Sequence, residues 1–150
     1  MAEDTHPFDP DVAFAFALQI SGVDCGRFRE CSGIEWTVAT ESFQQGGENR
    51  HSVQLIGTGT FKPLVLKKGF FGYDTEMYDW IYDQMNPAAP TERKELSVIV
   101  FDTEGTESMR YNFKGAFITR YKGPTLNAAS SDIGFEEIEL AYDYFEFNPQ

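Results

Sequence analysis

Residues 109–121, MRYNFKGAFITRY, decide the fold class. Met109, Tyr111, Phe113 and Phe117 fall on one parity, and Arg110, Lys114, Ile118 and Arg120 on the other. That period of two belongs to an extended strand. At roughly 3.3 Å per residue the longest strands reach about 35–40 Å. Upstream, TEGT (Thr103–Thr106) reads as a hairpin turn behind a strand Leu96–Asp102. Downstream, Phe135–Phe147 reads as one further strand, with Ile138, Leu140, Tyr142 and Tyr144 alternating with Glu137, Glu139, Ala141 and Asp143. One strand thus carries a basic stripe and another an acidic one. Cross-strand attraction predicts Arg110 and Lys114 opposite Glu137 and Glu139, and their placement on different sheets would refute it.

The pattern continues toward the N-terminus. Val12, Phe14, Phe16, Leu18 and Ile20 alternate with Ala13, Ala15, Ala17 and Gln19, a strand with one apolar and one small-residue face. Ser21-Gly22 and Ser32-Gly33 break the chain, and Ile34–Phe43 reads as a strand. A polar glycine loop follows, with no core residue from Gln44 to Arg50. The chain then re-enters the sheet at Ser52–Ile56 and continues through Phe61–Gly69, where Pro63 marks a strand start, a bulge or an edge. One helix is expected over Asp74–Met85. Asp74 is its N-cap, Met77, Trp80, Ile81, Gln84 and Met85 form its stripe, and Asn86-Pro87 ends it. Its other face carries Glu76, Asp79 and Asp83. About seven strands and one helix make an antiparallel, mainly β domain whose long edges invite pairing with another chain.

Composition narrows the functional classes. The 150 residues suit one domain, and 41% hydrophobic content with 14 Phe, 7 Tyr and 2 Trp supplies a core, excluding general disorder. Acidic residues number 24 against 12 basic, a net charge of −12 that repels phosphate backbones. No apolar run approaches the ~20 residues of a spanning helix, and no basic n-region precedes Val12–Ile20, so neither membrane insertion nor a signal peptide is expected. Cys25 and Cys31 alone cannot staple the chain, and folding in a reducing cytoplasm is expected.

Catalytic constellations do not rise above background. His6 and His51 are the two histidines, and no Gly-x-Ser-x-Gly elbow accompanies them. The spacing of Cys25 and Cys31 misses the zinc knuckle, and both read as small buried or half-buried thiols. Asp9 and Asp11 lack a calcium loop's alternating ligands. Glu136, Glu137 and Glu139 mark a strand face sooner than an acid/base pair. Gly57 and Gly59 read as a turn between strands, and the late aromatics Phe135, Tyr142, Tyr144, Phe145 and Phe147 as core. Neither an enzyme nor a cofactor is expected.

Five phrases then occur in order: GRFRECSGI (Gly26–Ile34), QGGEN (Gln45–Asn49), LVLKKG (Leu64–Gly69), YDW (Tyr78–Trp80) and YKGPTLNA (Tyr121–Ala128). Over residues 12–147 this order resembles the tail tube proteins of contractile phages, and equally the inner-tube proteins of phage-derived extracellular contractile injection systems. The resemblance implies two packed antiparallel sheets forming a β-barrel-like domain with one flanking helix, related to the tube protein of type VI secretion. It makes residues 12–150 a single tail-tube domain behind a flexible arm, residues 1–11. It further implies hexameric rings that stack into a hollow tube inside a contractile sheath, driven through a target envelope. Implied partners are further copies of the chain, the sheath protein, baseplate and tube-initiator proteins, a terminator cap, and a lumenal cargo of protein effector or DNA. Assembly is expected in the cytoplasm, within a virion or injection particle.

Carried onto this chain, the resemblance assigns inter-ring contact to Gln45, Gly46, Gly47, Glu48, Asn49 and Arg50, with a free surface loop as the equal alternative. It turns Glu76, Asp79 and Asp83 toward the sheath, and Glu137, Glu139 and Asp143 toward the lumen or a subunit interface. A baseplate tube initiator of the same family is the nearest rival, and a monomeric ligand-binding β-barrel is the rival from another class.

Overall fold

Strand β1 (Phe16–Ile20) turns through Ser21 and Gly22 into β2 (Val23–Arg27). Both turn residues take positive φ, 51° and 82°, as a two-residue hairpin loop with the strands' own twist requires. The computed structural model describes residues 16–47, 50–69, 75–90, 92–129 and 134–149. The arm, Val12–Ala15 and the Asp74 cap lie outside them. Next come β3 (Glu30–Ser32), β4 (Trp36–Phe43), β5 (Val53–Phe61), β6 (Leu64–Gly69), α1 (Thr75–Met85), β7 (Lys94–Phe101), β8 (Glu107–Lys122), β9 (Phe135–Ala141) and β10 (Tyr144–Pro149). Ten strands therefore stand among the described residues where about seven are expected. β2 and β3 are too short to show a period, and the last expected strand is two.

Eight strands pair antiparallel in the order β2-β1-β7-β8-β9-β6-β3, with β10 also beside β8. The 16-residue β8 belongs to two sheets. Its first part runs between β7 and β10, and its last part pairs with β9. Among the described residues the path ends at β2 and β3 without joining them, so the expected barrel is not closed there.

The change of sheet occurs at Gly115, whose φ is +67°. A Cβ there would sit 2.3 Å from Asp143 Oδ2, the end of a side chain free to swing aside, so it is the backbone conformation that calls for glycine. The irregularity moves the inward parity by one residue. Phe113 is buried ahead of it, and Ala116 and Ile118 are buried after it. The expectation that Phe117 faces inward with Phe113, and Ile118 outward, is thus corrected: Phe117 instead carries the Arg93 guanidinium 5.0 Å from its ring centroid. The neighbouring strand breaks at Tyr142-Asp143 in register with this bend. Phe145 then packs on the core in place of Tyr144, which is exposed.

Helix α1 buries Met77, Trp80 and Ile81 against the sheets and exposes Glu76, Asp79 and Asp83. Met85, expected in the stripe, is exposed at the helix end. The Asn86 N–H donates to the Tyr82 carbonyl (3.2 Å), and Asn86 Oδ1 accepts from the Ala88 N–H (3.0 Å), which ends the helix ahead of Pro87. The three α1 residues join Leu18, Leu64, Leu66, Leu96, Phe113 and Leu140 in one core. Both cysteines are free thiols, and burial pushes the Cys31 thiol up to about 12.

Candidate functional site

β4 and β5 form a separate two-stranded sheet. The expectation that the chain re-enters the main sheet at Ser52–Ile56 is corrected here, since β5 pairs with β4 alone. Almost every residue of the ribbon is exposed, Trp36, Phe43, Val53, Leu55 and Ile56 included, the last at 87%. Opposed pairs Glu41↔Leu55 and Phe43↔Val53 put Phe43, Val53 and Leu55 on one face. Thr37 and Thr60 hydroxyls meet across the strands at 3.1 Å, and the Gln54 amide donates to Ser42 Oγ at 2.9 Å.

Gly57 and Gly59 lie inside β5, not in a turn. A Cβ on Gly59 would be 2.7 Å from the Trp36 indole nitrogen, and one on Gly57 would be 2.6 Å from the Ala39 carbonyl oxygen. Their absent side chains let the indole and the opposing backbone close over the strand. The glycine loop caps the ribbon: Gln45, Gly46, Gly47 and Arg50 are exposed, while Glu48 and Asn49 lie outside the described residues.

The predicted charge pairing is corrected in its partners. Arg110 bonds Glu107 (2.7 Å) and Gln19, and Lys114 bonds Glu95 (2.8 Å). Both lie on the first part of β8, whereas Glu137 and Glu139 oppose Lys122 and Arg120 on its last part. Arg120 approaches Glu137 to 3.6 Å, and on the other side of β9 Lys67 opposes Glu137 and reaches Glu30 at 3.6 Å. Alternating charges therefore cross β3, β6, β9 and β8. Asp143 stands apart from this stripe, paired with Arg93 at 2.9 Å. The Arg110 hydrogen bond holds Glu107 below its ordinary carboxylate range, and the bond to Glu95 raises Lys114.

One acidic residue behaves differently. Glu136 is buried, with the Tyr78 hydroxyl 2.6 Å from both its oxygens and the Tyr121 hydroxyl donating at 3.1 Å. Burial, then the Glu136 charge, raises Tyr121. Sequence reasoning passed over this tie between α1 and β9, although Glu136 shares the parity of inward-facing Ile138 and Leu140. Of the late aromatics expected as core, Tyr142 and Phe145 pack against it, with Phe113–Tyr142 centroids 4.8 Å apart and Phe61–Phe145 5.3 Å, whereas Phe135, Tyr144 and Phe147 are exposed because the core does not extend over their positions on the strands. No helix among the described residues is long and apolar enough to cross a membrane.

A surface ribbon exposed on both faces, open strand edges and a charge-laddered sheet are features of an assembling subunit. Many solved chains share the fold. A chain of the extended sheath–tube complex of the PVC extracellular contractile injection system is 23% identical, covers 100% of this chain and 99% of its own, and has a TM-score of 0.76. A chain of the anti-feeding prophage baseplate is 18% identical, with coverages of 94% and 97% and a TM-score of 0.75. Hcp1 from Flavobacterium johnsoniae is 18% identical, with coverages of 91% and 97% and a TM-score of 0.59. No curated protein sequence matches the chain. The family model of the T4-like virus tail tube protein gp19 matches residues 12–146. The chain belongs to that family, as a structural tail tube subunit.

Proposed function

We propose that six copies close a ring and that rings stack into a hollow tube, enclosed by a contractile sheath and driven through a target envelope to deliver cargo. The β4–β5 ribbon carries this reading. An isolated two-stranded ribbon is at best marginally stable in water, and this one leaves Trp36, Phe43, Val53, Leu55 and Ile56 exposed. A neighbouring copy supplies the missing cover. The edges of β2, β3 and β10 are available for pairing between subunits, and a head-to-tail ring contact repeats without limit along an axis.

Within that assembly the loop of Gln45, Gly46, Gly47, Glu48, Asn49 and Arg50 contacts the next ring. The α1 face of Glu76, Asp79 and Asp83 meets the sheath protein. Glu137, Glu139 and Asp143 turn to the lumen or a subunit interface, and the chain's net charge of −12 lets DNA or an acidic protein effector pass without sticking. Baseplate, tube initiator and terminator cap bound the tube, which assembles in the cytoplasm and performs no catalysis.

Negative-stain electron microscopy of the purified chain, with light scattering for mass, tests the proposal. Stacked rings or tubes are expected. A single ring that never extends reassigns the chain to tube initiation. A monomer that also forms no ring on a supplied baseplate overturns the tube reading.

A further inference from the structure

The β4–β5 ribbon joins the body of the protein at residues 33–35 and 62–63. The β3–β6 ladder stops at Ser32↔Val65, and the β4–β5 ladder starts at Trp36↔Phe61. Between them Pro63 has no N–H to donate, and Gly33 turns at a φ of +91°. A Cβ on Gly33 would overlap the Pro63 carbonyl oxygen, which is backbone, so the two strands pass in direct contact. A short break at the ends of two paired strands is where an arm can pivot.

Groups of the body grip this joint. The Tyr142 hydroxyl donates to the Lys62 carbonyl at 2.7 Å, while the Lys62 N–H donates to the Glu35 carbonyl at 3.0 Å. The main chain of Lys62 is therefore held from two sides, by the opposite strand and by the body. Tyr142 has little freedom to follow a moving ribbon, because its ring centroid lies 4.8 Å from that of Phe113, which is fully buried. Phe61, the last residue of β5, adds ring contacts at 6.0 Å to Tyr142 and 5.3 Å to Phe145. The exposed Lys62–Glu35 ion pair, at 3.2 Å, ties the two strands of the joint to each other and not to the body.

An arm that must meet a neighbouring copy binds best when its direction is already fixed. Misdirected conformations reduce the competent fraction, and apparent affinity falls with it. We infer that Tyr142 is a positioning residue for assembly: its hydroxyl, backed by Phe113, clamps the Lys62 carbonyl and fixes the direction in which the ribbon projects. The consequence for assembly rests on the reading that a neighbouring copy covers the ribbon; the clamp itself does not.

Two measurements on the full chain separate these claims. Double electron–electron resonance reads the direction of the ribbon in dilute solution, below the onset of assembly. Spin labels sit at Gly46→Cys, where a Cβ meets nothing within 4 Å, and at Glu104→Cys on the exposed β7–β8 turn. Every chain also carries Cys31→Ala, so that the partly buried thiol takes no label. Tyr142→Phe keeps the ring and removes the hydroxyl. Phe61→Leu loosens the joint from the ribbon side, and decides the matter if Tyr142→Phe fails to fold. Wild type is expected to give one narrow distance and each variant a broad distribution, an outcome that a general loss of stability does not produce. The second measurement is the lowest concentration at which tubes sediment. It is expected to rise about two- to tenfold in Tyr142→Phe, as loss of one hydrogen bond shifts an equilibrium. A narrow distance in the variants overturns the inference. Broad distances with an unchanged threshold overturn the role in assembly. If wild type forms no tubes, the reading of the ribbon as an interface falls, while the distances still decide the clamp.

Discussion

The Gln84 side chain takes both backbone hydrogen-bonding groups of Ile118: its Oε1 accepts the Ile118 N–H at 2.9 Å, and its Nε2 donates to the Ile118 carbonyl. β7 pairs with β8 only as far as Lys94↔Ala116. Gln84 therefore does for the next residue what a continued β7 would do. It seals an edge that could otherwise pair with another chain.

Gln84→Ala leaves those two groups unsatisfied in a partly buried place. A loss of about 1–3 kcal/mol is expected, which lowers Tm by roughly 2–10 °C in a chain of this size. Scanning calorimetry checks it, and an unchanged Tm would show that water serves Ile118 equally well.

Tyr78 and Glu136 fasten the other end of α1. Tyr78→Phe removes a hydrogen bond to a carboxylate, expected to cost about 1.5–3 kcal/mol and to raise amide exchange across α1 more than across β7. Uniform exchange in the variant would sever the helix from this tie.

Gly115→Ala places a Cβ where Asp143 Oδ2 stands, in a backbone with φ of +67°. The carboxylate can swing away and lose Arg93, but the backbone strain of about 1–2 kcal/mol remains. The unfolding free energy from urea titration should fall by that amount, and Asp143→Ala alone should cost less because its pair is exposed. Equal losses would argue against backbone strain.

Alkaline pH should destabilise the fold through Cys31. Its thiol rises from 9.0 unfolded to about 12 folded, so the native state holds a proton that the unfolded state releases. The associated stability is complete below pH 9, declines as pH rises, and is gone above about 12, a loss of up to about 4 kcal/mol. Tyr121 and Tyr142, both raised chiefly by burial, add to the decline above pH 10. Melting under reducing conditions should show Cys31→Ala flattening the curve between pH 9 and 10. A slope identical to wild type would exclude the thiol.

The ribbon separates folding from assembly. Phe43 and Leu55 are 53% and 47% exposed, so Phe43→Asp with Leu55→Asp should change the stability of the free chain by roughly 0.5 kcal/mol per site or less. Electron microscopy should show no tubes. Normal tubes from the double variant would remove the ribbon from the interface.

Local signals were legible in the sequence because they need no distant partner. Alternation from Phe16 to Ile20, the turn at Thr103–Thr106 and the helical stripe of Met77, Trp80 and Ile81 each reside in a few consecutive residues. The family resemblance was legible for a related reason, since it lies in the order of short phrases along the chain. What the sequence left open depends on which strands meet. Alternation distinguishes two faces, but one positive-φ glycine within a strand exchanges them, as Gly115 does for Phe117 and Ile118. Charge stripes call for opposite partners, but β8 serves two sheets, so the bend selects Arg120 and Lys122 for Glu139 and Glu137. Ile34–Phe43 reads as a strand and Ser52–Ile56 as a return to the sheet, yet only the tertiary structure leaves β4 and β5 to each other. Burial is a property of what packs on a strand, and beyond Phe61 the described residues supply little to pack on this ribbon.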